Sequence, residues 1–596
     1  MKALRSTGLL VVTGLAVVVP FAQQYAGTVF VLALCYAIVT AGMAVQIGFS
    51  QQIAFSQSVF MGAGAYGVAM LNTHLSMPSL LATPIVMAGA GLAALLLGSV
   101  VTRASGLALA VATLMLPLIA VGYLSSAGYL GGSIGTPLTG NLWEGASTEA
   151  TAVGNGLITV AVLALVVFVC TRILSSDIGL ELYVLGVDEP TAAAMGVRTS
   201  RRKLELFVLG SVFAALGGAV YAGTQLFVPA SLVDPTAELT LLMMLFVGGR
   251  KSILGAVVGA LAIQYLYGAS NWVSVNILIV EGVLLTVVLL ADPDGLAGLV
   301  AALARARPPA PAAVPLERTN GAIGHARLDV LPDSQRADGA IGTLKLLECI
   351  GVGKEYGGLA VLDDVTLTLP GRGLFGLCGP NGAGKSTLLG VIGGSVRPSR
   401  GRVLLDGTDV TRLPPQERFQ LGVSRTFQAV HLIRGRTVLD NVAVACLSSH
   451  RSSLVRGIVR SRLAEARAKA AEALDYLGMG QLSGQDVSSL TLENQRMVEL
   501  ARAIAARPRL LLLDEPASGL SGPQRERLAE VLRAAGELAC VLLVEHDLDL
   551  VARISQKIFV LARGRLVFDG DPEDFRSSDV VNSLLQGGRG GRVPPP

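Results

Sequence analysis

The chain is 596 residues long with a net charge of +4, and 52% of it is hydrophobic, which is too much sequence for one core and calls for at least two domains. Charge is unevenly divided: residues 1–300 hold ten Lys/Arg and twelve Asp/Glu, and the following 296 residues carry the other 68 charged side chains. The first half therefore has a membrane composition and the second a soluble one; the absence of basic and aromatic interleaving argues against nucleic acid, and six Cys without CxxC spacing argue against a zinc site or a disulfide framework.

Crossing a bilayer takes about 20 apolar residues, and such runs recur near 7–22, 27–46, 53–72, 78–100, 106–123, 154–173, 204–226, 238–249, 252–268 and 273–291. They predict a polytopic α-helical transmembrane domain over 1–300 with about ten helices. The first run, behind Lys2 and Arg5, lacks a persuasive cleavage site and is followed by further spans, so it is expected to be a retained helix. The eighth is short enough to be re-entrant. With the N-terminus in the cytoplasm, Lys2, Arg5, Arg103, Arg172, Arg198, Arg201, Arg202, Lys203, Arg250 and Lys251 all fall at cytoplasmic ends. That is the bias expected of cationic loops, and the same parity puts the residues after Asp292 in the cytoplasm of a cell-membrane protein.

The longest cytoplasmic loop, 174–203, is too polar to span and is a candidate docking helix, with a solvated connector as the plain alternative. Glu281 is the one carboxylate well inside a predicted span; a charge there is costly, so it should face a polar cavity or a partner, in a structural or a transport role. Residues 301–343, rich in Ala, Pro and Arg without periodicity, are expected to be a disordered linker.

From Leu344 to residue 590 the pattern changes to short apolar runs, glycine turns and amphipathic helices such as 462–477, an α/β P-loop domain ending in a short tail over 591–596. The run LFGLCGPNGAGKST places a buried strand before a glycine-rich loop and a helix from about Lys385, matching GxxxxGK[ST] in its required context. Gly379, Pro380, Asn381, Gly382, Ala383, Gly384, Lys385, Ser386 and Thr387 would bind ATP. The glycines let backbone amides wrap phosphates, Lys385 reaches the β/γ oxygens, and the Ser386 hydroxyl holds Mg²⁺. A second apolar strand, 510–513, ends in Asp514 and Glu515 at the edge of a parallel sheet where ligands bind. Asp514 would bind Mg²⁺ and Glu515 orient or deprotonate the attacking water.

On these motifs residues 344–590 resemble ATP-binding cassette subunits of the branched-chain amino acid importer type. The resemblance implies that Tyr356 in KEYGG stacks on adenine, that Gln428 in SRTFQAVHL senses Mg²⁺ and the permease, and that His546 in LLVEHDLDL contacts the γ-phosphate. Most of residues 30–300 resemble permeases of the same family through GFSQQIAFSQSVFMGAGAY, SGLALAVATL, LGGSIGTPLTG and ELTLLMMLFVGGRKSILGAVVGA. Gln51 and Gln57 stand where that family commonly has a glycine and a histidine. The family implies a second permease and a second cassette, an extracytoplasmic solute-binding protein and an amino-acid-like solute.

The segment that closes over a partner's nucleotide in that family departs from it: Leu490, Thr491, Leu492, Glu493 and Asn494 stand in place of an LSGGQ-like run. A carboxylate about 4 Å from a γ-phosphate would repel it by roughly 4 kcal/mol at an effective dielectric of 20, about a thousandfold in occupancy if nothing compensates. The expectation is a heteromer in which an intact partner signature closes this chain's active site. An exporter, or an ATP-gated regulatory protein or channel, are the alternatives; about ten spans rather than six weigh against the exporter.

Overall fold

The computed structural model describes residues 24–102, 107–269, 271–292, 294–298, 345–447, 454, 457 and 461–578. The first predicted span with Lys2 and Arg5, the residue Arg103, the 301–343 linker and the 591–596 tail lie outside them. By contact the described residues form two compact units, 24–175 with 200–298 and 176–199 with 345–578.

The first unit is helical. Five of its helices, Gly27–Phe49, Ser79–Val101, Ala108–Ser126, Thr148–Leu174 and Thr199–Gln225, are long and apolar enough to cross a membrane by length and composition. Pro235–Gly248 has 14 residues, rising about 21 Å against a hydrocarbon core of roughly 30 Å, as its short apolar run anticipates. Asp234 starts that helix by accepting the Thr236 amide at 3.0 Å, ahead of Pro235 at the first helical position. The remaining elements are Gln57–Leu75, Ile253–Ala269, Asn271–Val275 and Ile277–Ala291.

A single helix over 273–291 is expected, but the chain breaks at Asn276 between the last two elements. The Asn276 side chain donates to the Trp272 carbonyl at 2.9 Å, a local bond that competes with the helix ladder. Two short strands, β1 (Gly135–Pro137) and β2 (Phe227–Pro229), pair antiparallel between the helices.

Helices Gln57–Leu75 and Thr199–Gln225 approach backbone to backbone. A Cβ at Gly218 would lie 1.8 Å from the Met61 carbonyl oxygen, and one at Gly64 would lie 2.0 Å from that of Ala215. Small residues allow such contacts where lipid supplies no hydrophobic drive between helices. Gly218→Val should therefore lower the thermal unfolding midpoint of the purified protein by several degrees, whereas Gly89→Val, which meets nothing within 4 Å, should leave it nearly unchanged.

In the second unit a six-stranded sheet has the order β12-β11-β5-β10-β9-β8, with β5 at Gly373–Cys378, β8 at Val423–Arg425, β9 at Leu510–Asp514, β10 at Cys540–Val544, β11 at Lys557–Ala562 and β12 at Arg565–Gly570. All its pairings are parallel except β11 with β12. Every residue of β5, β9 and β10 is buried, as expected of parallel strands covered on both faces. An antiparallel sheet of order β4-β3-β6-β7 completes the layer, with β3 at Lys345–Tyr356, β4 at Leu359–Pro370, β6 at Arg400–Leu405 and β7 at Thr408–Asp409.

A helical group, Val438–Leu447, Leu463–Tyr476 and Leu492–Ala505, packs beside the parallel sheet. The 176–199 stretch joins this group as two short helices, Asp177–Leu185 and Glu189–Ala194. Leu180, Val184, Leu185, Ala192, Met195 and Val197 share its core with Leu432, Ile433, Val438 and Val442. The Arg436 guanidinium lies 4.0 Å over the Tyr183 ring, and the Asp177 amide donates to Ser461 Oγ at 3.2 Å. The polar loop is thus amphipathic, with an apolar face that a solvated connector would not need.

Candidate active site

The register of the parallel sheet pairs Val544 with both Asp514 and Leu377, so β5, β9 and β10 end at one level. The loop after β5, Glu515 after β9 and His546 after β10 therefore emerge together at the carboxyl edge, and Gln428 follows β8, which pairs with β9.

The β5 loop leads into the helix Lys385–Gly393 with Gly384 as its N-cap at φ 104°. A Cβ at Gly379 would lie 2.1 Å from the Leu561 carbonyl, so only glycine fits this tight turn, while one at Gly382 would meet nothing within 4 Å. Lys385 Nζ donates to the carbonyls of Gly379 at 2.8 Å and Pro380 at 3.0 Å. Burial lowers the Lys385 pKa, and the nearby Glu515 carboxylate works the other way. The loop thus presents one ammonium and the amide end of a helix to an anion.

Glu515 sits in the left-handed region at φ 50°, its amide donating to the Val544 carbonyl at 2.9 Å. Its side chain joins two others: Gln428 Nε2 donates to Oε2 at 3.0 Å, and His546 Nε2 lies 2.8 Å from Oε1. Strands β8, β9 and β10 thus deliver one hydrogen-bonded triad. Asp514, one residue earlier, lies 3.5 Å from the Arg425 guanidinium. Burial raises the Asp514 pKa and Arg425 opposes that rise.

Three residues of this network escaped the reading of the sequence. Arg496 donates to the Gln428 carbonyl at 2.6 Å. Arg425 flanks Asp514, and Glu545 accepts the Ala517 amide at 2.6 Å and the His546 amide at 3.2 Å, pinning the turns on which Glu515 and His546 stand. Glu545 and Arg425 lie one and three residues from His546 and Gln428, and that adjacency was the only signal available. Tyr356 closes β3 and is 48% exposed, with Lys354 Nζ 4.7 Å above its ring.

The altered signature forms the N-terminus of Leu492–Ala505, capped by the Thr491 side chain. Glu493 is turned along its own subunit: Gln524 Nε2 donates to it at 2.7 Å, and Arg527 lies 3.8 Å away. The Gln524 side-chain oxygen Oε1 accepts the Ser521 amide at 2.8 Å, which fixes the orientation of that side chain. The repulsion expected from this carboxylate is thus partly offset within the chain.

Residues 25–291 match the branched-chain amino acid transport system permease component, and residues 362–518 match the ABC transporter family. The high-affinity branched-chain amino acid transport ATP-binding protein LivG of Escherichia coli is 35% identical over 248 residues, covering 40% of this chain and 97% of that protein. This chain belongs to the ABC transporters. BraF of Pseudomonas aeruginosa, of the same description, is 33% identical over 249 residues, again covering 40% of this chain and 97% of its own length. A solved ATP-binding cassette of an ABC transporter in its ADP conformation is 26% identical, covers 41% of this chain and 100% of that one, and has a TM-score of 0.38.

The transporter is thus a multi-pass membrane protein whose helical permease and ATP-hydrolysing cassette share one polypeptide, the cassette being its cytoplasmic part. Both halves carry the branched-chain amino acid transport relationship.

Proposed function

We propose that this chain is a fused permease and ATPase subunit of an importer for a small, amino-acid-like solute, branched-chain amino acids being the leading class. The observation that carries the coupling is that residues 176–199 of the permease sequence are built into the cassette's helical core next to Leu432 and Ile433, four and five residues after Gln428. A change at the nucleotide can therefore travel from Glu515 to Gln428 and into the permease chain through packed side chains. Leu182 is fully buried in this element. Leu182→Asp should cut ATP-driven uptake by about tenfold or more while leaving ATPase activity within about twofold, measured on the same vesicles.

ATP occupies the Gly379–Thr387 loop, with Tyr356 stacked on its base. A divalent cation suits Ser386, Asp514 and Gln428, since all three offer oxygen, and the Gln428 amide nitrogen is already committed to Glu515. Bound Mg²⁺ supplies charge neutralisation at the phosphates. Lys385 holds the anionic end of the nucleotide, Glu515 orients and accepts a proton from the attacking water, and His546 and Gln428 hold Glu515 in place.

The partners are a second permease, a second cassette with a glycine-bearing signature and an extracytoplasmic binding protein. Glu493 faces the poorer of two sites, held back by Gln524 and Arg527. Glu493→Gly should raise the ATPase rate of the chain purified alone by about tenfold or more, part of the thousandfold that an unscreened carboxylate would cost. An unchanged rate in that steady-state assay would remove the argument for a heteromer. The importer reading itself is tested by the direction of movement: accumulation of leucine in vesicles supplied with binding protein supports it, and efflux or passive nucleotide-gated flux overturns it.

A further inference from the structure

The permease unit holds a second polar cluster that the nucleotide chemistry does not use. Its first described helix, Gln24–Met43, runs on as a π turn, Ala44–Phe49, and the chain then unwinds until Gln57–Leu75 begins. Gln51 takes φ 54° in this break. A non-glycine residue in this left-handed conformation is strained, and such strain concentrates at functional sites.

The break places Gln46, Gln52, Ser56 and Gln57 inside the protein, together with Glu238 from the first turn of Pro235–Gly248; none is more than 3% exposed. Gln57 Nε2 donates to Gln46 Oε1 at 2.8 Å, and Ser58 N donates to Glu238 Oε2 at 2.7 Å. Among the described residues, Gln46 Nε2, Gln57 Oε1, both amide atoms of Gln52, Ser56 Oγ and Glu238 Oε1 have no hydrogen-bond partner. With Gln57 donating to Gln46, or with both amides turned over, the pair leaves one amide nitrogen and one amide oxygen unused. Gly210 adjoins them, since a Cβ there would lie 2.6 Å from Gln46 Oε1 and 3.5 Å from Gln57 Nε2.

Buried polar atoms left without partners are rare, and six beside one helix break are expensive unless something fills the gap. The Ser58 amide donates to Glu238 Oε2 at the start of Gln57–Leu75, where the amide end of the helix favours a negative charge on the carboxylate. Its free oxygen, with the free amide oxygens, asks for a positively charged donor, and the unused amide N–H groups ask for an acceptor nearby.

We infer that Gln46, Gln52, Ser56, Gln57 and Glu238 form a solute site in the permease that takes the ammonium end of an amino-bearing small molecule. Glu238 and the amide oxygens receive the ammonium, the amide donors receive the solute's own acceptor, and Gly210 leaves the room. Intramembrane carboxylates and helix breaks of this kind mark transport pathways in general. The inference rests on the importer reading and narrows its substrate class.

The test uses the complete assembly in vesicles and the Ser56→Cys variant, with tritiated leucine as the transported probe. A cationic methanethiosulfonate reagent should inactivate uptake during turnover about tenfold faster than an anionic one of the same size, as expected of one fixed negative charge. Excess leucine with binding protein should protect Cys introduced at 56, and Glu238→Gln in that background should remove the preference for the cationic reagent. Equal rates for the two reagents, labelling that leucine does not slow, or no labelling during turnover each overturn the inference. Gly210→Ala gives an independent reading should Glu238→Gln fail to assemble: the KM for leucine should rise about tenfold, as one methyl group in a filled site allows, and an unchanged KM counts against the site. Should the wild-type assembly move no leucine, the importer reading fails on its own, while the charge preference of covalent labelling in the Ser56→Cys variant during ATP hydrolysis, read as mass added to the chain, still reports on the site.

Discussion

Glu515→Gln should leave ATP binding intact and reduce steady-state hydrolysis by about 10²–10⁴-fold, the range expected for removing a positioned general base. The substitution keeps the shape and one oxygen, so one of the two bonds, from Gln428 at 3.0 Å or from His546 at 2.8 Å, can be retained. What it removes is the negative charge and the basicity. Nucleotide should therefore accumulate on the protein unhydrolysed, so a filter-binding assay with labelled ATP should show full occupancy while released phosphate falls to background. Phosphate release within about tenfold of wild type would mean that another group activates the water.

Lys385→Ala should act earlier, on the phosphates themselves. Lys385 is buried, and its ammonium is held by the Gly379 and Pro380 carbonyls at the mouth of the loop. Removing the only ammonium positioned there among the described residues takes away a charge-assisted contact to the nucleotide, and about 10²–10³-fold in turnover is the scale for such a donor. Unlike Glu515→Gln, this variant should also bind ATP less tightly. The two therefore separate on one plot: occupancy is retained in the first and lost in the second. Equal ATP affinity in wild type and Lys385→Ala would contradict the placing of the phosphates on this loop.

The nucleotide-binding elements were readable because their residues are local and obligatory. A strand of four leucines ending in Asp514, or a glycine loop ending in Lys385 and Ser386, carries its chemistry within a dozen residues, and β9 and the helix Lys385–Gly393 begin where those patterns require. Arg425, Arg496 and Glu545 were invisible because they act by holding other groups, and single charged residues near a motif have no pattern of their own.

In the permease the apolar runs locate helices well but say little about interruptions. The break after Phe49 and the break at Asn276 depend on side chains that compete for backbone groups, and hydropathy does not register that competition. Glu281 stood out as an intramembrane charge and is indeed buried, 3.4 Å from Thr240 Oγ1. Glu238 did not, because it falls at the first residue of a predicted span, where a carboxylate looks like a boundary. Only the packed structure brings it to the start of Gln57–Leu75.

The central claim is that hydrolysis beside Glu515 drives solute movement through helices on the same polypeptide. It is tested most directly by measuring ATP-dependent accumulation of labelled leucine in vesicles holding the complete assembly, with wild-type chain and with Glu515→Gln. Accumulation against a gradient by wild type, falling to the level of vesicles without ATP in Glu515→Gln, is the predicted result. Equal accumulation by both would contradict it.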